Sequence, residues 1–297
     1  MVDQHKWLVI VNPNAGYHCS DLWYKRLVCQ IRQKLDSLII FTSYPGHATE
    51  IVRQNWEFEN IGVYGGDGTI AEVINGMDFD RQRMLVFPGG TGNGLAHDLG
   101  IHSLENAFSA IQTGQPRVID LIDVNFHTRN GSFSRLMVST SGIGYVTAVA
   151  RLASRIRPSL RSNCYKAAAV CLAISIRLPE FTALVKSDGC NPDYARFCSL
   201  IINNTRHIGN VPVFKSANMH DGRFEVSLAQ PVLGLYYLKR LTQIGQRPPV
   251  TWSNDYQSRY LSIFLKEPHY LMIDGELLKG VIQAEYKIWK KHLLCIA

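Results

Sequence analysis

Apolar and polar residues along the first part of the chain fall into short blocks that favour strand, then helix, then strand. Trp7 to Val11 is an apolar run of strand length, and Asn12-Pro13-Asn14-Ala15-Gly16 follows it as a turn. Ser20 or Asp21 can cap a helix running to about Leu35, with Leu27, Ile31 and Leu35 on one side. Leu38 to Phe41 reads as a strand ending in Thr42, and His47 to Asn55 as a helix. Ile61 to Tyr64 is a short buried strand. After it, Ile70, Ala71, Val73, Ile74 and Met77 place an apolar face on a helix. Met84 to Phe87 is the next strand, and Ser103 to Gly114 a helix with glycine as its C-terminal cap. This alternation predicts a parallel sheet covered by helices on both faces, with ligands expected at the carboxyl ends of the strands.

The pattern changes near Asp120. Leu121 to Phe126 and Phe133 to Ser139 flank Asn130-Gly131, a hairpin signal. Helices are expected over Tyr145 to Ile156 and Tyr165 to Arg177. Strand-like runs follow at Phe181 to Lys186, Phe197 to Asn203, Phe224 to Ala229, Leu261 to Leu265, Tyr270 to Asp274 and Val281 to Trp289. The expectation is an α/β unit over residues 1–123 and a mostly β unit over 124–297, with the last residues returning to the first unit. No internal repeat or low-complexity linker separates them.

Composition adds little that the pattern does not already say. At 46% hydrophobic residues over 297 positions the chain can bury a sizeable core. Its net charge of +7 favours an anionic partner: a nucleotide, a nucleic acid or an acidic membrane surface. No nucleic-acid recognition motif supports the second of these. Met1 to Lys6 carries no leader pattern, and the apolar stretch Ala167 to Ile176 is too short to span a bilayer. Seven scattered cysteines without a CxxC pair fit reduced, mostly buried thiols. A cytoplasmic protein is therefore expected.

The chemistry is concentrated in the turns. Gly65-Gly66-Asp67-Gly68-Thr69 joins a strand to a helix start. Glycines there let a phosphate approach the backbone, and the free N–H groups of the helix start point at its charge. A carboxylate is a poor neighbour for a phosphate, so Asp67 implies either a divalent cation between them or a base aimed at an incoming hydroxyl. An ordinary Asp-Gly turn is the plain alternative. Similar turns follow Val11 and Phe87, the latter Pro88-Gly89-Gly90-Thr91-Gly92-Asn93-Gly94. A second acidic turn, Asp274-Gly275-Glu276, follows a strand, and a hairpin turn is its plain alternative.

Asn12-Pro13-x-x-Gly16, Gly65-Gly66-Asp67-Gly68-Thr69 with Glu72 and Asn75-Gly76, Pro88-x-Gly90-Thr91-x-Asn93, and Asp274-Gly275-Glu276 occur in that order. Together they resemble the diacylglycerol kinase catalytic-domain family, which includes bacterial lipid kinases and the sphingosine and ceramide kinases. The resemblance covers nearly the whole chain. It implies an N-terminal parallel-sheet nucleotide-binding domain, a C-terminal β-sandwich domain and a cleft between them. The activity implied is ATP- and Mg²⁺-dependent phosphorylation of a lipid hydroxyl. Asn12, Gly16 and Thr42 would line one side of the nucleotide. Gly65, Gly66, Gly68 and Thr69 would cradle phosphates, with Thr91 and Asn93 adding polar contacts. Asp67 would bind Mg²⁺ or accept the hydroxyl proton, Asp274 and Glu276 are the other base candidates, and bacterial members usually assign the base to the residue matching Glu276. Asp120 matches an acid of the metal network. Asp221, with Asn218 and Arg223 through their carbonyls, matches a structural Mg²⁺ segment, although Lys215 stands where proline is usual. Plain structural roles are the alternatives for Asp120 and Asp221.

Two departures leave the acceptor open. Gly94 stands where many diacylglycerol kinases carry an acid, which is closer to sphingosine kinases. Yet Val146 and Thr147 follow Gly144-Tyr145, where sphingosine kinases place an acid for the lipid's ammonium. Diacylglycerol or a related lipid alcohol is the first reading. A sphingosine-type kinase, a soluble kinase of NAD-kinase type and a non-catalytic lipid-binding protein are alternatives. Peripheral membrane contact is expected of a lipid kinase. Arg151 to Arg161, with Leu152, Ile156 and Leu160 among four arginines, is either a membrane-surface helix or an amphipathic helix packed on its own domain. The Tyr236-Tyr237-Leu238-Lys239-Arg240 run is read as a domain helix.

Overall fold

The computed structural model describes residues 6–16, 21–160, 164–174, 178–188, 190–209, 211–241 and 253–297. The start of the chain at 1–5, Cys19, the Ser20 cap, Arg161 and Ile176 lie outside these residues, as do the side chains of the arginine stretch from Ile156 onward. Two compact units are present, one of residues 1–119 and 291–297, the other of residues 120–290.

The first unit runs β1 (Trp7–Val11), α1 (Asp21–Lys34), β2 (Ser37–Phe41), α2 (His47–Gln54), β3 (Asn60–Gly65), α3 (Asp67–Ile74), β4 (Arg83–Pro88), α4 (Gly94–Asp98) and α5 (Leu104–Thr113). The strands lie parallel in the order β2-β1-β3-β4. All five side chains of β1 and the centres of β3 and β4 are buried, the signature of a sheet covered on both faces. Leu27 and Ile31 of α1, Ala48, Ile51 and Val52 of α2, and Ile70, Val73 and Ile74 of α3 supply the covering apolar faces. Ser103 caps α5 by accepting the Asn106 N–H. Gly114 is the C-cap of α5, as expected, with φ −71°. Glycine is needed there because a Cβ would meet the Ala110 carbonyl oxygen at 2.4 Å.

The second unit follows as β5 (Pro116–Thr128), β6 (Gly131–Met137), β7 (Thr140–Gly144), α6 (Tyr145–Leu160), α7 (Cys164–Ile174), β8 (Phe181–Ser187), β9 (Cys190–Phe197) and β10 (Ser199–Asn203). Then come β11 (His207–Ile208), β12 (Val211–Pro212), β13 (Phe224–Ala229), α8 (Gly234–Leu241), β14 (Ser253–Ser258), β15 (Tyr260–Ile273) and β16 (Glu276–Ile296). The β14-β13-β10-β7-β15-β16 path is antiparallel, β8 joins β15 and β9, and β5 joins β16 and β6. Alternate residues of these strands, among them Val124, Ile143, Phe181, Ile202, Val226, Ile263 and Tyr286, fill one core. β5 and β16 each carry the chain from one unit into the other. The last residues of β16 pair parallel with β4, Leu294 with Arg83 and Cys295 with Met84.

β7, β15 and α4 are among the elements that differ from the pattern reading. β7, Thr-Ser-Gly-Ile-Gly, has poor strand propensity, yet it is buried throughout between β10 and β15. Its glycines are needed for close approach: a Cβ on Gly142 would lie 2.5 Å from the Leu200 carbonyl oxygen. The two runs around Pro268 are one strand, β15, with register shifts between Phe264 and His269 and between His269 and Leu271. α4 is five residues long, too short for a period to be seen.

Ala153 of α6 packs on Ala168 with Val149 and Leu152, and Arg151 lies over the Tyr270 ring at 4.2 Å. The described part of the arginine stretch is thus packed on its own unit. Cys198 and Cys295 are buried, whereas Cys29 and Cys171 are exposed. Among the described residues no helix is long and apolar enough to cross a membrane.

Candidate active site

In the first unit the strand ends are level. Val11 is in register with Phe41 and Tyr64, and Gly65 with Pro88. The chain leaves β1 toward β2 on one side, while β3 lies on the other. The strand order therefore reverses between β1 and β3, the place where an open α/β sheet leaves a crevice. Asn12 bridges that point. Its N–H donates to the Tyr64 carbonyl at 2.9 Å, and its Nδ2 donates to Thr69 Oγ1 at 2.8 Å. Thr42, after β2, is buried, and its N–H donates to the Val11 carbonyl at 2.9 Å.

The three glycine-bearing turns touch through their backbones. A Cβ on Gly90 would lie 2.3 Å from Gly66 Cα, and one on Gly16, at φ +65°, would lie 2.5 Å from the Gly89 carbonyl oxygen. The Gly89 N–H donates to the Gly65 carbonyl at 3.2 Å. Asn93 closes its turn from the left-handed region, at φ 53°. Its Oδ1 accepts the Gly90 N–H at 2.7 Å, and its Nδ2 donates to the Gly90 carbonyl at 3.0 Å. Thr91 lies partly exposed within that turn. Gly66 caps α3 with extended backbone, so the first N–H groups of the helix, among them that of Gly68, have no acceptor within it. The result is a cradle of backbone donors with no room for a side chain between the turns.

Asp67 is the first residue of α3, and its Oδ1 accepts the Leu95 N–H at 3.4 Å. Burial pushes its carboxyl above the ordinary aspartate range. The N–H groups of Gly94 and Leu95 and the charge of His97 pull the other way without cancelling it. Asp67 is thus a buried acid held between two helix starts, with its carboxyl raised by burial.

In the second unit the remaining candidates occupy three settings. Asp274 is buried, with φ 46°. Its Oδ1 accepts the N–H groups of Ser139 and Thr140 at 2.8 and 2.9 Å, and its Oδ2 accepts that of Val138 at 2.9 Å. It clamps the β6-to-β7 connection to the β15-to-β16 turn. Glu276 is half exposed and forms an ion pair with Arg135 of β6. Asp120 is buried. Its Oδ2 accepts the Gly222 N–H at 2.7 Å and its N–H donates to the Met219 carbonyl at 2.8 Å, so it holds the 218–223 segment. Within that segment Asn218 Oδ1 accepts the His220 N–H and Asp221 Oδ1 the Arg223 N–H. Burial first, and the nearby Asp221 charge after it, raise the Glu225 carboxyl, against a hydrogen bond from Gln257. Among the described residues no group of three or more His, Cys, Asp or Glu side chains is arranged to hold a metal ion.

The structure therefore gathers Asn12, Gly16, Thr42, Gly65, Gly66, Asp67, Thr69, Gly90 and Asn93 along one sheet edge. It gathers Asp120 with Asn218 to Arg223 separately. Pattern reading missed Arg135, which nothing in its local sequence marks, and Asn204, whose Nδ2 donates to the Asp120 and Val138 carbonyls. The polar run Asn203-Asn204-Thr205 after an apolar strand was the available signal for Asn204. It also missed an open cavity of about 970 Å³ beside the first turn, lined by Pro13, Asn14, Tyr24, Lys25, Arg32 and Phe41 among others.

Residues 6–124 match the sequence model of the diacylglycerol kinase catalytic domain. The chain is 24% identical to the lipid kinase candidate YtlR of Bacillus subtilis (strain 168), over 92% of this chain and 93% of that protein. It is 23% identical to a diacylglycerol kinase of the same organism, over 96% of this chain and 94% of that protein. In fold it is similar to the crystal structure of a diacylglycerol kinase candidate from Bacillus anthracis str. Sterne. The TM-score is 0.79 at 21% identity, covering 98% of this chain and 94% of the other.

Proposed function

We propose that the chain, whose residues 6–124 match the diacylglycerol kinase catalytic domain and which is similar over most of its length to lipid kinases, is a lipid kinase of that family, and that it transfers the γ-phosphate of ATP, with Mg²⁺, to a hydroxyl of diacylglycerol or a related lipid alcohol. The observation that carries the reading is the contact of Gly66 with Gly90 beside Asp67, a donor-lined space that a Cβ would fill. It fits nucleotide phosphates. A single carboxylate fits Mg²⁺, which is commonly held by one or two carboxylates together with substrate phosphates and waters. The cation would neutralise phosphate charge, and Asp67 would hold it.

In the transfer, the acceptor oxygen forms a bond to the γ-phosphorus as the bond from that phosphorus to the β–γ bridging oxygen breaks, and ADP leaves. The hydroxyl proton goes to a carboxylate. Glu276 suits that task better than Asp274, whose oxygens already accept three backbone N–H groups. Asn12 orients Thr69 across the crevice, and Asn93 fixes the turn that faces Gly66. Val146 and Thr147 bear on the acceptor. Thr147 is buried with its hydroxyl donating to the Gly144 carbonyl, so neither residue offers a partner for an ammonium headgroup. Peripheral membrane contact follows from a lipid acceptor. The exposed Leu235 and Tyr236 beside Lys239 on α8 are compatible with it.

The test is a screen of the purified chain with labelled ATP against lipid extracts, with Asp67→Asn as control. A labelled lipid made by the wild type and lost in the variant is expected. Label incorporation that depends on neither lipid nor Asp67 would overturn the reading.

A further inference from the structure

We propose that Arg135 is a specificity-determining residue that selects an acceptor carrying a phosphate beside its hydroxyl. The inference deepens the reading above and rests on Glu276 as the proton acceptor. Arg135 Nη1 meets Glu276 Oε2 in a direct ion pair. The side chains are 39% and 51% exposed, and exposed pairs of this kind add little to stability. The pair therefore has little to do for the fold. What it does is fix a guanidinium beside the carboxylate to which the acceptor hydroxyl must come.

Arg135 reaches that place through the sheet. It is opposite Val124 on β5, whose side chain is in the core, and β5 pairs with β16, whose first residue is Glu276. The guanidinium has five N–H donors in a planar fork that matches the oxygens of a phosphate, and one of its nitrogens contacts Glu276. Its position sorts acceptors by charge. A cationic headgroup brought to Glu276 finds that carboxylate already paired with a guanidinium. A neutral one gains only weaker hydrogen bonds. An anionic one gains charge-assisted hydrogen bonds. The absence of an acid at Val146 and Thr147 is independent of this pair and points the same way.

The chemistry could be met by a lipid, such as phosphatidylglycerol, or by a soluble compound such as glycerol 3-phosphate. The experiment compares kcat/KM for phosphatidylglycerol, diacylglycerol and sphingosine in the same mixed micelles, with glycerol 3-phosphate free in solution. Enzymes are the wild type, Arg135→Gln, Arg135→Lys, Arg135→Glu and Glu276→Gln. We expect wild-type preference for phosphatidylglycerol over diacylglycerol, falling about tenfold in Arg135→Gln, as for loss of a charged hydrogen bond. Arg135→Lys should keep part of it, and Arg135→Glu should move the ranking toward sphingosine. Preference for glycerol 3-phosphate over all the lipids, lost in the same variants, would keep the charge rule and assign the soluble source. Equal losses on every acceptor, or an unchanged ranking, would overturn the proposal and leave Arg135 a positioning residue for Glu276. Full activity of Glu276→Gln would instead sink the assignment of the base, whatever Arg135 does.

Discussion

The dipeptide Asp-Gly occurs in both units, and its two most informative copies behave oppositely. Asp67-Gly68 begins a helix, with the carboxyl pushed up by burial and met by the Leu95 N–H. Asp274-Gly275 is a strand-to-strand turn with both residues at positive φ, 46° and 87°, and the carboxylate accepts three backbone N–H groups. One acid is held with its charge poorly satisfied, the other with its charge nearly saturated. Natural chains leave an acid unsatisfied mainly where it meets a ligand, and saturate one where it must hold the chain. The contrast favours the first as the site of the proposed chemistry and identifies the second as a clamp.

The largest effect should come from breaking the clamp. Asp274→Ala orphans the N–H groups of Val138, Ser139 and Thr140, all buried. At about 1–3 kcal/mol for each unsatisfied donor, with partial relaxation, a loss of about 3–5 kcal/mol is expected in denaturant unfolding. Asp274→Asn keeps an acceptor and tolerates the left-handed backbone, so it should lose roughly half as much. The decisive number is the rate of whatever Asp274→Asn protein remains folded. A hundredfold fall at intact stability would make Asp274 a base and end the contrast.

Asp67→Asn should show the reverse. Transfer should fall by at least about a hundredfold, close to 2.7 kcal/mol, while unfolding stability is kept. The pH dependence sharpens this. The Asp67 carboxyl is raised, so between the unfolded and folded values the native state holds more protons than the unfolded chain. Stability then falls as pH rises through that window. The metal-free wild type should show that decline and Asp67→Asn should lack it. A decline present in both would assign it to Glu225, which is raised as well.

A smaller effect is expected at the cradle. In Gly90→Ala the new Cβ meets Gly66 Cα, a backbone atom that no rotamer change can move. The two turns must part by about an ångström for the contact to become an ordinary one. A rise of about tenfold in the KM for ATP is expected, with less change in kcat, since the lost contact is made in ground and transition states alike. Unchanged ATP affinity in a well-folded variant would remove the phosphates from this place.

Much of the first unit was legible because its signals are local. Apolar strands of five or six residues, helical stripes and glycine turns each declare themselves, and Asn12, Gly66, Asp67 and Asn93 came out on one edge because parallel strands level their own carboxyl ends. The second unit was less legible because its decisive contacts are long-range. β7 is strand only because β10 and β15 flank it. β16 runs past Trp289 through Lys290, Lys291 and His292 because its end pairs with β4, and Lys291 forms an ion pair with Asp80. Arg135 looks like any polar strand residue until Glu276, distant in sequence, is brought beside it. Gly114 shows the reverse case. It caps α5 as its place in the sequence implies, but the close approach of the Ala110 carbonyl that requires glycine there is visible only in the fold.

The smallest effect concerns a third Asp-Gly pair, Asp221-Gly222, which lies between the two extremes. Asp221 is neither buried with its charge unmet nor saturated. Its Oδ1 accepts the Arg223 N–H at 3.0 Å, and its Oδ2 is 3.4 Å from Gln257 Nε2, a nitrogen that also serves Glu225 at 3.0 Å. Each carboxylate oxygen keeps a lone pair, and Asp120 fixes the backbone beside it. In metal-free protein Asp221→Ala loses one turn hydrogen bond but also relieves Glu225 of a neighbouring charge. The net cost should be about 1 kcal/mol or less, shrinking as pH rises above the ordinary glutamate range, where that charge is felt. Millimolar Mg²⁺ separates a turn from a cation site. With the carbonyls of Asn218 and Arg223 supplying further hard ligands, the expected outcome is a Tm of the wild type raised by Mg²⁺ and lowered by chelator, with Asp221→Ala indifferent to both. Identical responses of the two proteins would put Asp221 with Asp274, as an acid that only shapes the chain, and would leave Asp67 the one Asp-Gly of the three turned toward a ligand.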